Sequence, residues 1–251
     1  MNVSLISYTP DAMTLLLRTK NTRLKHESDP ATWTEQGRNE HLAYMLDTIR
    51  SSWEFVDYVF QIDGVTRAFT HQLVRTRAGS YAQESQRTVD ARDNGYDIPD
   101  SVAGSSRTIY EWSCADAFGA YKALLDAGVP AQDARGVLPT ATFTSITAKY
   151  SLRTLSDMAR VRLCTRTQGE YQNVFRAMRA AVLEVHPWAA PFIDVQCAAT
   201  GTCAFPRYGK ASCPFYDPRM DLSSLKAEVS ARFWASAIHE ARPKAAEGKA
   251  Q

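Results

Sequence analysis

The chain has 251 residues, 45% of them hydrophobic, and a formal net charge of +2 at pH 7. This length and composition are typical of one compact domain with a sizeable core and appended segments, and the charge is too small to require nucleic acid as a partner. The sequence has no run of about 18 apolar residues and no signal-peptide pattern at its start, so we expect a cytoplasmic protein without a membrane span.

The first half of the chain predicts strands and one long helix. Residues 3–8 and 58–62 alternate between apolar and polar side chains as strands do, and Asp63-Gly64 predicts a turn after the second strand. Between residues 106 and 127, aromatic and apolar side chains recur every three or four positions, with Gly and Pro after them. This spacing predicts an amphipathic helix whose aromatic stripe faces the core.

The second half predicts further helices. Residues 140–147 are rich in Thr and Ile and favour a strand, with a helix as the alternative, while 152–163, 170–185 and 221–241 favour helices. The last ten residues are expected to be disordered. The elements together predict a mixed α/β (α+β) fold, with a main domain over residues 1–192 and a Cys-containing extension over residues 193–251.

One short segment contains three arginines interleaved with Ser and Gln. Guanidinium groups match phosphate oxygens two at a time, and neutral donors add geometry without charge, so the segment predicts a nucleotide site. In an extended conformation Gln83, Ser85 and Arg87 would share one face, and Arg75 and Arg77 would share one face of their own. The structural alternative is a solvated arginine-rich loop.

This segment resembles the signature of the flavin-dependent thymidylate synthases, Arg-His-Arg-x-x-Ser-x-Asn-Glu-x-Ser-x-Arg. The positions that match in register are Arg75, Arg77, Ser80, Ser85 and Arg87. Other stretches resemble the same family, and the resemblance covers about residues 1–190. These stretches are residues 3–11, 52–60 and 127–139, followed by Arg153, Arg162, Gln168 and Glu170.

The resemblance implies an enzyme that methylates C5 of dUMP to give dTMP. In this family 5,10-methylenetetrahydrofolate supplies the carbon, reduced FAD supplies a hydride, and NADPH reduces the flavin again. The family has a central, mostly antiparallel sheet with helices, and forms a homotetramer with active sites at subunit interfaces. The expected partners are therefore a small-molecule nucleotide and a folate, with no stable nucleic acid and no membrane.

The resemblance also implies a role for individual residues. The catalytic residue would be Arg162, whose guanidinium would face the pyrimidine edge and stabilise negative charge. The nucleotide phosphate and sugar would be surrounded by Gln72, Gln83, Ser85, Arg87 and Arg135. The flavin would be lined by Arg75, Thr76, Arg77, Ser151, Arg153 and Asp157.

Several polar positions depart from the family pattern. The family's His, His, Asn and Glu are replaced here by Phe55, Thr76, Ala82 and Gln83, and two Asn positions near the flavin are Ser151 and Asp157. Altered polar groups could change which pyrimidine is accepted. The alternatives are therefore methylation or hydroxymethylation of another pyrimidine deoxynucleotide such as dCMP, and a non-catalytic nucleotide or nucleic-acid binding protein.

Three cysteines lie in the extension, at Cys197, Cys203 and Cys213. Three thiolates could bind zinc or an iron–sulfur cluster, but a paired Cys-x2-Cys spacing is absent and a fourth ligand is not obvious. The nearest histidine, His186, lies well upstream. Reduced cysteines in an ordered extension, without a metal, are the preferred interpretation.

Overall fold

A computed structural model describes residues 1–205 and 213–215, so the helix predicted over residues 221–241 and the tail after it lie outside the described residues. The chain forms two compact units. The first combines Met1–Ser28 with Ser52–Thr154, and the second combines Asp29–Ser51 with the chain from Leu155 onwards. The domain division predicted after residue 192 stays a prediction.

An antiparallel sheet of four strands forms the centre of the first unit. The strands are β1 (Asn2–Tyr8), β2 (Asp57–Thr66), β3 (Ser80–Gln83) and β4 (Phe143–Ser151). Their order in the sheet is β1-β2-β4-β3, and all three pairings are antiparallel. The mixed fold with an antiparallel sheet is confirmed, and so is the strand predicted over residues 140–147.

The turn predicted at Asp63-Gly64 is wrong, because β2 continues to Thr66. The pairing of β2 with β4 changes register between Ile62 and Val65. Gly64 has φ +63°, a conformation that a residue without Cβ adopts freely. The glycine therefore lets the strand bulge without leaving the sheet.

Alternation along the strands builds the core of the first unit. On β2, Tyr58, Phe60 and Ile62 are fully buried, and on β4, Ala148 and Tyr150 are buried. Four helices belong to this unit: α1 (Ala12–Leu24), α3 (Arg67–Leu73), α4 (Ser105–Asp126) and α5 (Ala131–Ala134).

The long helix α4 confirms the prediction over residues 106–127. Its inner face buries Cys114 and Tyr121, and the Tyr121 hydroxyl accepts a hydrogen bond from the main-chain N–H of Ala91 at 3.3 Å. Its outer face exposes two large apolar side chains, Ile109 at 67% and Trp112 at 70%. Burying these would recover apolar area that the single chain leaves in water.

Helices dominate the described part of the second unit, with α2 (Glu35–Leu46), α7 (Gly169–Val185) and α8 (Gln196–Thr200), while the division between the units falls within α6 (Leu152–Arg162). The predicted helices over 152–163 and 170–185 are confirmed. Arg179 on α7 is buried and donates to the carbonyl of Ile193 at 2.6 Å, which ties the following segment to α7. No helix within residues 1–205 and 213–215 is long and apolar enough to cross a membrane.

Candidate functional site

Arg75 and Arg77 lie in turns, not in a strand. The helix α3 ends at Leu73, and the Thr76 N–H donates to the Leu73 carbonyl at 3.1 Å. The Gly79 N–H then donates to the Thr76 carbonyl at 3.0 Å. The prediction that the two arginines share the face of an extended segment is therefore wrong, and both side chains are exposed on the turns that follow α3.

The second half of the segment is extended only as far as Gln83, where β3 ends. The Ser85 carbonyl accepts hydrogen bonds from the N–H groups of Thr88 at 3.2 Å and Val89 at 2.9 Å, and the Ser85 hydroxyl accepts from the Arg87 N–H at 3.3 Å. A serine that satisfies the backbone locally in this way favours a turn. The prediction that Gln83, Ser85 and Arg87 share one strand face is therefore wrong.

A pair of tyrosines supports the turn between the two arginines. The Tyr81 hydroxyl lies 2.6 Å from the Thr76 carbonyl oxygen and 3.1 Å from that of Leu73, and its ring packs edge-on against Tyr150 with centroids 5.8 Å apart. A Cβ on Gly79 would lie 2.5 Å from both tyrosine side chains. Sequence reasoning missed Tyr81 and Gly79, for which the available signal was a glycine inside the arginine segment.

A second arginine pair lies in the same unit. Arg67, at the start of α3, is partly buried and donates to the Glu84 carbonyl at 3.1 Å. Burial lowers the pKa of Arg67, the Glu84 carboxylate opposes this, and the positive charge of Arg135 lowers the pKa further. Two guanidinium groups within electrostatic reach of each other favour a bound anion. Sequence reasoning named Arg135 as a site residue but missed Arg67.

Gln83 is held against α3. Its Nε2 donates to the Thr70 hydroxyl at 2.8 Å, and that hydroxyl donates to the Arg67 carbonyl at 3.1 Å. Gln72 lies in the last turn of α3. The Gln83 amide has two N–H donors and one carbonyl oxygen, so the bond to Thr70 uses one of its two donors. The predicted nucleotide residues of this unit thus group around α3 and the turn that follows β3.

Two of the predicted flavin residues meet at Glu54. The Ser151 hydroxyl donates to Glu54 Oε2 at 2.7 Å, and Arg153 Nη1 lies 3.3 Å from Glu54 Oε1. Ser151 also accepts a hydrogen bond from the Thr154 N–H at 3.2 Å, so it stabilises the start of α6. Phe55, beside Glu54, is 57% exposed. Sequence reasoning had not placed Glu54 in the site.

The second unit holds Asp157 and Arg162. Asp157 forms an ion pair with Arg50 at 2.7 Å. The Arg162 guanidinium lies over the ring of the fully buried Tyr171, 4.3 Å from its centroid. Stacking on an aromatic ring orients the planar guanidinium, so its N–H donors point outwards parallel to the ring.

Residues 4–188 match the family model described as "Thymidylate synthase complementing protein". The chain belongs to the flavin-dependent thymidylate synthase family. The family predicted from the arginine segment is thus confirmed. Among curated relatives, a flavin-dependent thymidylate synthase of Sulfurisphaera tokodaii is 32% identical over 206 residues, covering 78% of this chain and 79% of the relative. One of Geobacter sulfurreducens is 40% identical over 151 residues, covering 57% and 62%.

Among solved structures, the UMP/dUMP methylase PolB of Streptomyces cacaoi, bound with 5-Br dUMP, has a TM-score of 0.65 to this chain. The two are 19% identical, and the match covers 75% of this chain and 92% of that one. At this identity the likeness shows a shared fold.

The donor set of this chain fits an anionic cofactor such as FAD. Arg75 and Arg77 present exposed guanidinium groups on a turn that Tyr81 fixes, and guanidinium groups bind a diphosphate through paired hydrogen bonds. The family's histidine between them is Thr76, whose main-chain carbonyl binds Tyr81. Because Thr76 makes this contact through its main chain, the contact does not depend on which side chain stands at position 76.

Proposed function

We propose that this chain catalyses the flavin-dependent methylation of C5 of dUMP to give dTMP, with 5,10-methylenetetrahydrofolate as carbon donor, FAD as cofactor and NADPH as reductant. The observation that carries this proposal is the family match, which spans residues 4–188 and includes the whole arginine segment. Relatives at least 30% identical over most of both chains carry the name of this activity.

The nucleotide phosphate would bind to the arginines of the first unit. Arg67 and Arg135 bring two positive charges together. Arg67 donates to the Glu84 carbonyl at 3.1 Å, and Arg135 Nε donates to the Gln132 carbonyl at 3.0 Å. Arg87 extends from the turn at Ser85, whose hydroxyl oxygen accepts the Arg87 N–H and whose O–H can donate to a ligand. Gln72 and Gln83 on or against α3 would contact the phosphate or sugar. A dianionic phosphate would relieve the repulsion between these guanidinium groups.

Arg162 would act on the pyrimidine. A guanidinium can donate to a carbonyl oxygen of the ring such as O2, and so stabilise the negative charge that develops on the ring in the transition state. Tyr171 supports this role because its buried ring fixes the plane in which the donors of Arg162 point. No thiolate is needed for this chemistry, and none of the five cysteines lies in the arginine segment.

The flavin would be bound by the turn after α3 and by the start of α6. Reduced FAD, when bound, supplies the hydride that completes the methyl group. Arg75 and Arg77 would bind its phosphates, with Thr76 between them. Glu54 orients Ser151 and Arg153 through contacts of 2.7 Å and 3.3 Å. The family resemblance also assigns Asp157, which pairs with Arg50 in the second unit, to a flavin.

We also propose that the enzyme is a homotetramer whose active sites are shared between subunits, and that it works in the cytoplasm. The outer face of α4 supports an assembly, because Ile109 and Trp112 expose large apolar side chains that a second copy could bury. All five cysteines are free thiols, which suits a reducing compartment. Light scattering of the wild type and of Trp112→Lys would test the assembly, and an unchanged monomer in both would contradict it.

The experiment for the proposed function follows NADPH oxidation by the purified protein. We expect a yellow protein, or one that FAD makes yellow, whose NADPH oxidation accelerates when dUMP is added. A matched reaction with dCMP tests the alternative substrate. The proposal would be contradicted by a protein that does not bind added FAD. It would also be contradicted if neither dUMP nor any other pyrimidine nucleotide changed the rate of NADPH oxidation.

A further inference from the structure

Asp157 places a carboxylate where the family has the neutral amide of an asparagine. The resemblance assigns this position to a flavin, and the diphosphate of FAD is negatively charged. Because like charges repel at short range, a carboxylate without a cation beside it would oppose the binding of FAD. The change from asparagine to aspartate therefore calls for a residue of this chain that offsets the added charge.

Arg50 supplies the opposite charge. Its Nη1 lies 2.7 Å from Asp157 Oδ1, a distance typical of a charge-assisted hydrogen bond. Arg50 begins the short 3₁₀ turn Arg50–Phe55, which follows α2 in the chain. Both side chains stay partly exposed, Arg50 at 31% and Asp157 at 54%, so the ion pair borders solvent, from which a ligand can approach.

Two other arginines stand at helical spacing from Asp157 on α6, and each has a partner of its own. Arg153, four positions before Asp157, forms the ion pair with Glu54 at 3.3 Å. Arg160, three positions after it, donates to Gln196 Oε1 at 3.4 Å. The arginine that forms an ion pair with Asp157 therefore comes from another part of the chain.

We propose that Arg50 neutralises the charge of Asp157 and is thereby a positioning residue of the flavin site, acting through the carboxylate and not on the cofactor. With its charge offset, Asp157 can offer oxygen acceptors to the flavin, as the family's asparagine can, without repelling the phosphates of FAD. The contact at 2.7 Å also holds the carboxylate in one orientation. This inference rests on the proposed function, because that function makes FAD the ligand.

The proposed role differs from that of an ordinary surface ion pair in what it changes. An exposed pair contributes little to folding stability, and a purely structural one leaves ligand affinity unaltered. Neutralisation of Asp157 instead predicts nearly wild-type urea unfolding for Arg50 variants together with weaker FAD binding. It also requires the effect of Arg50 to disappear once Asp157 carries no charge, which a double-mutant cycle measures.

The test titrates the chain, freed of bound flavin, with FAD and follows flavin fluorescence. Arg50→Gln should raise the dissociation constant of FAD by about ten-fold, because the Asp157 carboxylate then lacks its cation. Arg50→Lys, which keeps the charge, should stay within about three-fold of the wild type. In the Asp157→Asn background, Arg50→Gln should change the constant by less than about two-fold. The control is Arg107→Gln, which breaks an exposed pair with Glu111 of 2.8 Å on α4 and should have no effect.

The outcomes separate this inference from the proposed function. FAD affinity equal to that of the wild type in Arg50→Gln would overturn the inference alone, and so would an equal loss in the Asp157→Asn background, since Arg50 would then act on the cofactor directly. If the Arg50 variants do not fold, Asp157→Asn decides: unchanged or tighter FAD binding supports the inference, and weaker binding overturns it because the carboxylate itself is then needed. A wild-type chain that takes up no FAD would contradict the proposed function, and this inference with it.

Discussion

The hydroxyl of Tyr81 lies 2.6 Å from the main-chain carbonyl oxygen of Thr76, so a residue of β3 holds the turn between Arg75 and Arg77. This contact fixes the backbone from which two of the arginines extend. A site whose donors are held before the ligand arrives loses less entropy on binding. Tyr81 thus serves as a positioning residue for the proposed flavin site.

Tyr81→Phe should weaken FAD binding while leaving dUMP affinity nearly unchanged. The variant keeps the ring against Tyr150 but loses one hydrogen bond, which is worth about 1 kcal/mol. We expect the dissociation constant of FAD to rise by about five-fold, as measured by flavin fluorescence. Tyr96→Phe is a matched control, because its hydroxyl also contacts a carbonyl, that of Glu111 at 3.4 Å, outside the arginine segment. Equal effects of the two variants would contradict the positioning role.

Gly79→Ala should destabilise the first unit. The added Cβ would lie 2.5 Å from Tyr150 Cε1 and from the Tyr81 hydroxyl, so the turn or the tyrosine pair must shift. Overpacking of this kind costs roughly 1–3 kcal/mol in the free energy of unfolding. The control is Gly37→Ala on α2, where the nearest atom would be 3.4 Å away and alanine favours a helix. The measurement is urea unfolding of both variants. A Gly79→Ala variant that unfolds at the same urea concentration as the wild type would refute the steric argument.

Arg87→Ala should lose affinity for the phosphate of the substrate. Removing a charge-assisted contact costs roughly 2 kcal/mol, which is about a 30-fold increase in the dissociation constant of dUMP. Binding of deoxyuridine, which lacks the phosphate, should not change. Calorimetry with both ligands provides the measurement, and Arg107→Ala on the exposed surface of α4, where Arg107 pairs with Glu111, provides the control. Unchanged dUMP affinity would remove Arg87 from the site.

Arg162→Lys should reduce turnover more than substrate binding. Lysine keeps the charge but loses the planar fork and its stacking on Tyr171. We expect kcat to fall by at least about ten-fold, with a smaller change in the dUMP dissociation constant. Tyr171→Leu, which keeps the arginine but removes the ring beneath it, should show a weaker form of the same pattern. The role assigned to Arg162 fails if affinity collapses while bound substrate still turns over.

The folded protein should lose stability as the pH falls below about 6.5, the ordinary pKa of histidine. Burial lowers the pKa of His186, whose ring packs near Trp188 with centroids 5.4 Å apart. Below pH 6.5 His186 becomes protonated in the unfolded chain but stays neutral in the folded protein. The free energy of unfolding therefore decreases as the pH falls, until the pH passes the pKa of folded His186. His186→Gln should flatten this dependence in urea unfolding, and the exposed His26→Gln should not. An equal slope in wild type and His186→Gln would contradict this origin.

The sheet and the long helices could be predicted because their signals are local. Alternation in β1 and β2 and the three-to-four spacing in α4 follow directly from which side chains face the core. The bulge at Gly64 could not be told from a turn, since Asp-Gly favours both and only pairing with β4 keeps the strand in the sheet.

The sequence assigns residues to the candidate site but does not give their geometry. The family signature identified Arg75, Arg77 and Arg87, yet it could not show that they lie on turns, because the main-chain bonds at Ser85 and Thr76 set that conformation. Arg67 and Tyr81 occupy no fixed position of the signature, and Glu54 lies in the family-like stretch 52–60 without a role assigned to it. Their part in the candidate site follows only from contacts between distant parts of the chain.

The measurement that tests the central claim most directly is the mass of the nucleotide product. The purified chain, reconstituted with FAD, is incubated with NADPH, 5,10-methylenetetrahydrofolate and either dUMP or dCMP, and the nucleotides are weighed by mass spectrometry. We predict that dUMP gains the mass of one methyl group and that dCMP is unchanged. Methylated or hydroxymethylated dCMP with unchanged dUMP, or no modified nucleotide at all from flavin-loaded enzyme, would contradict the account.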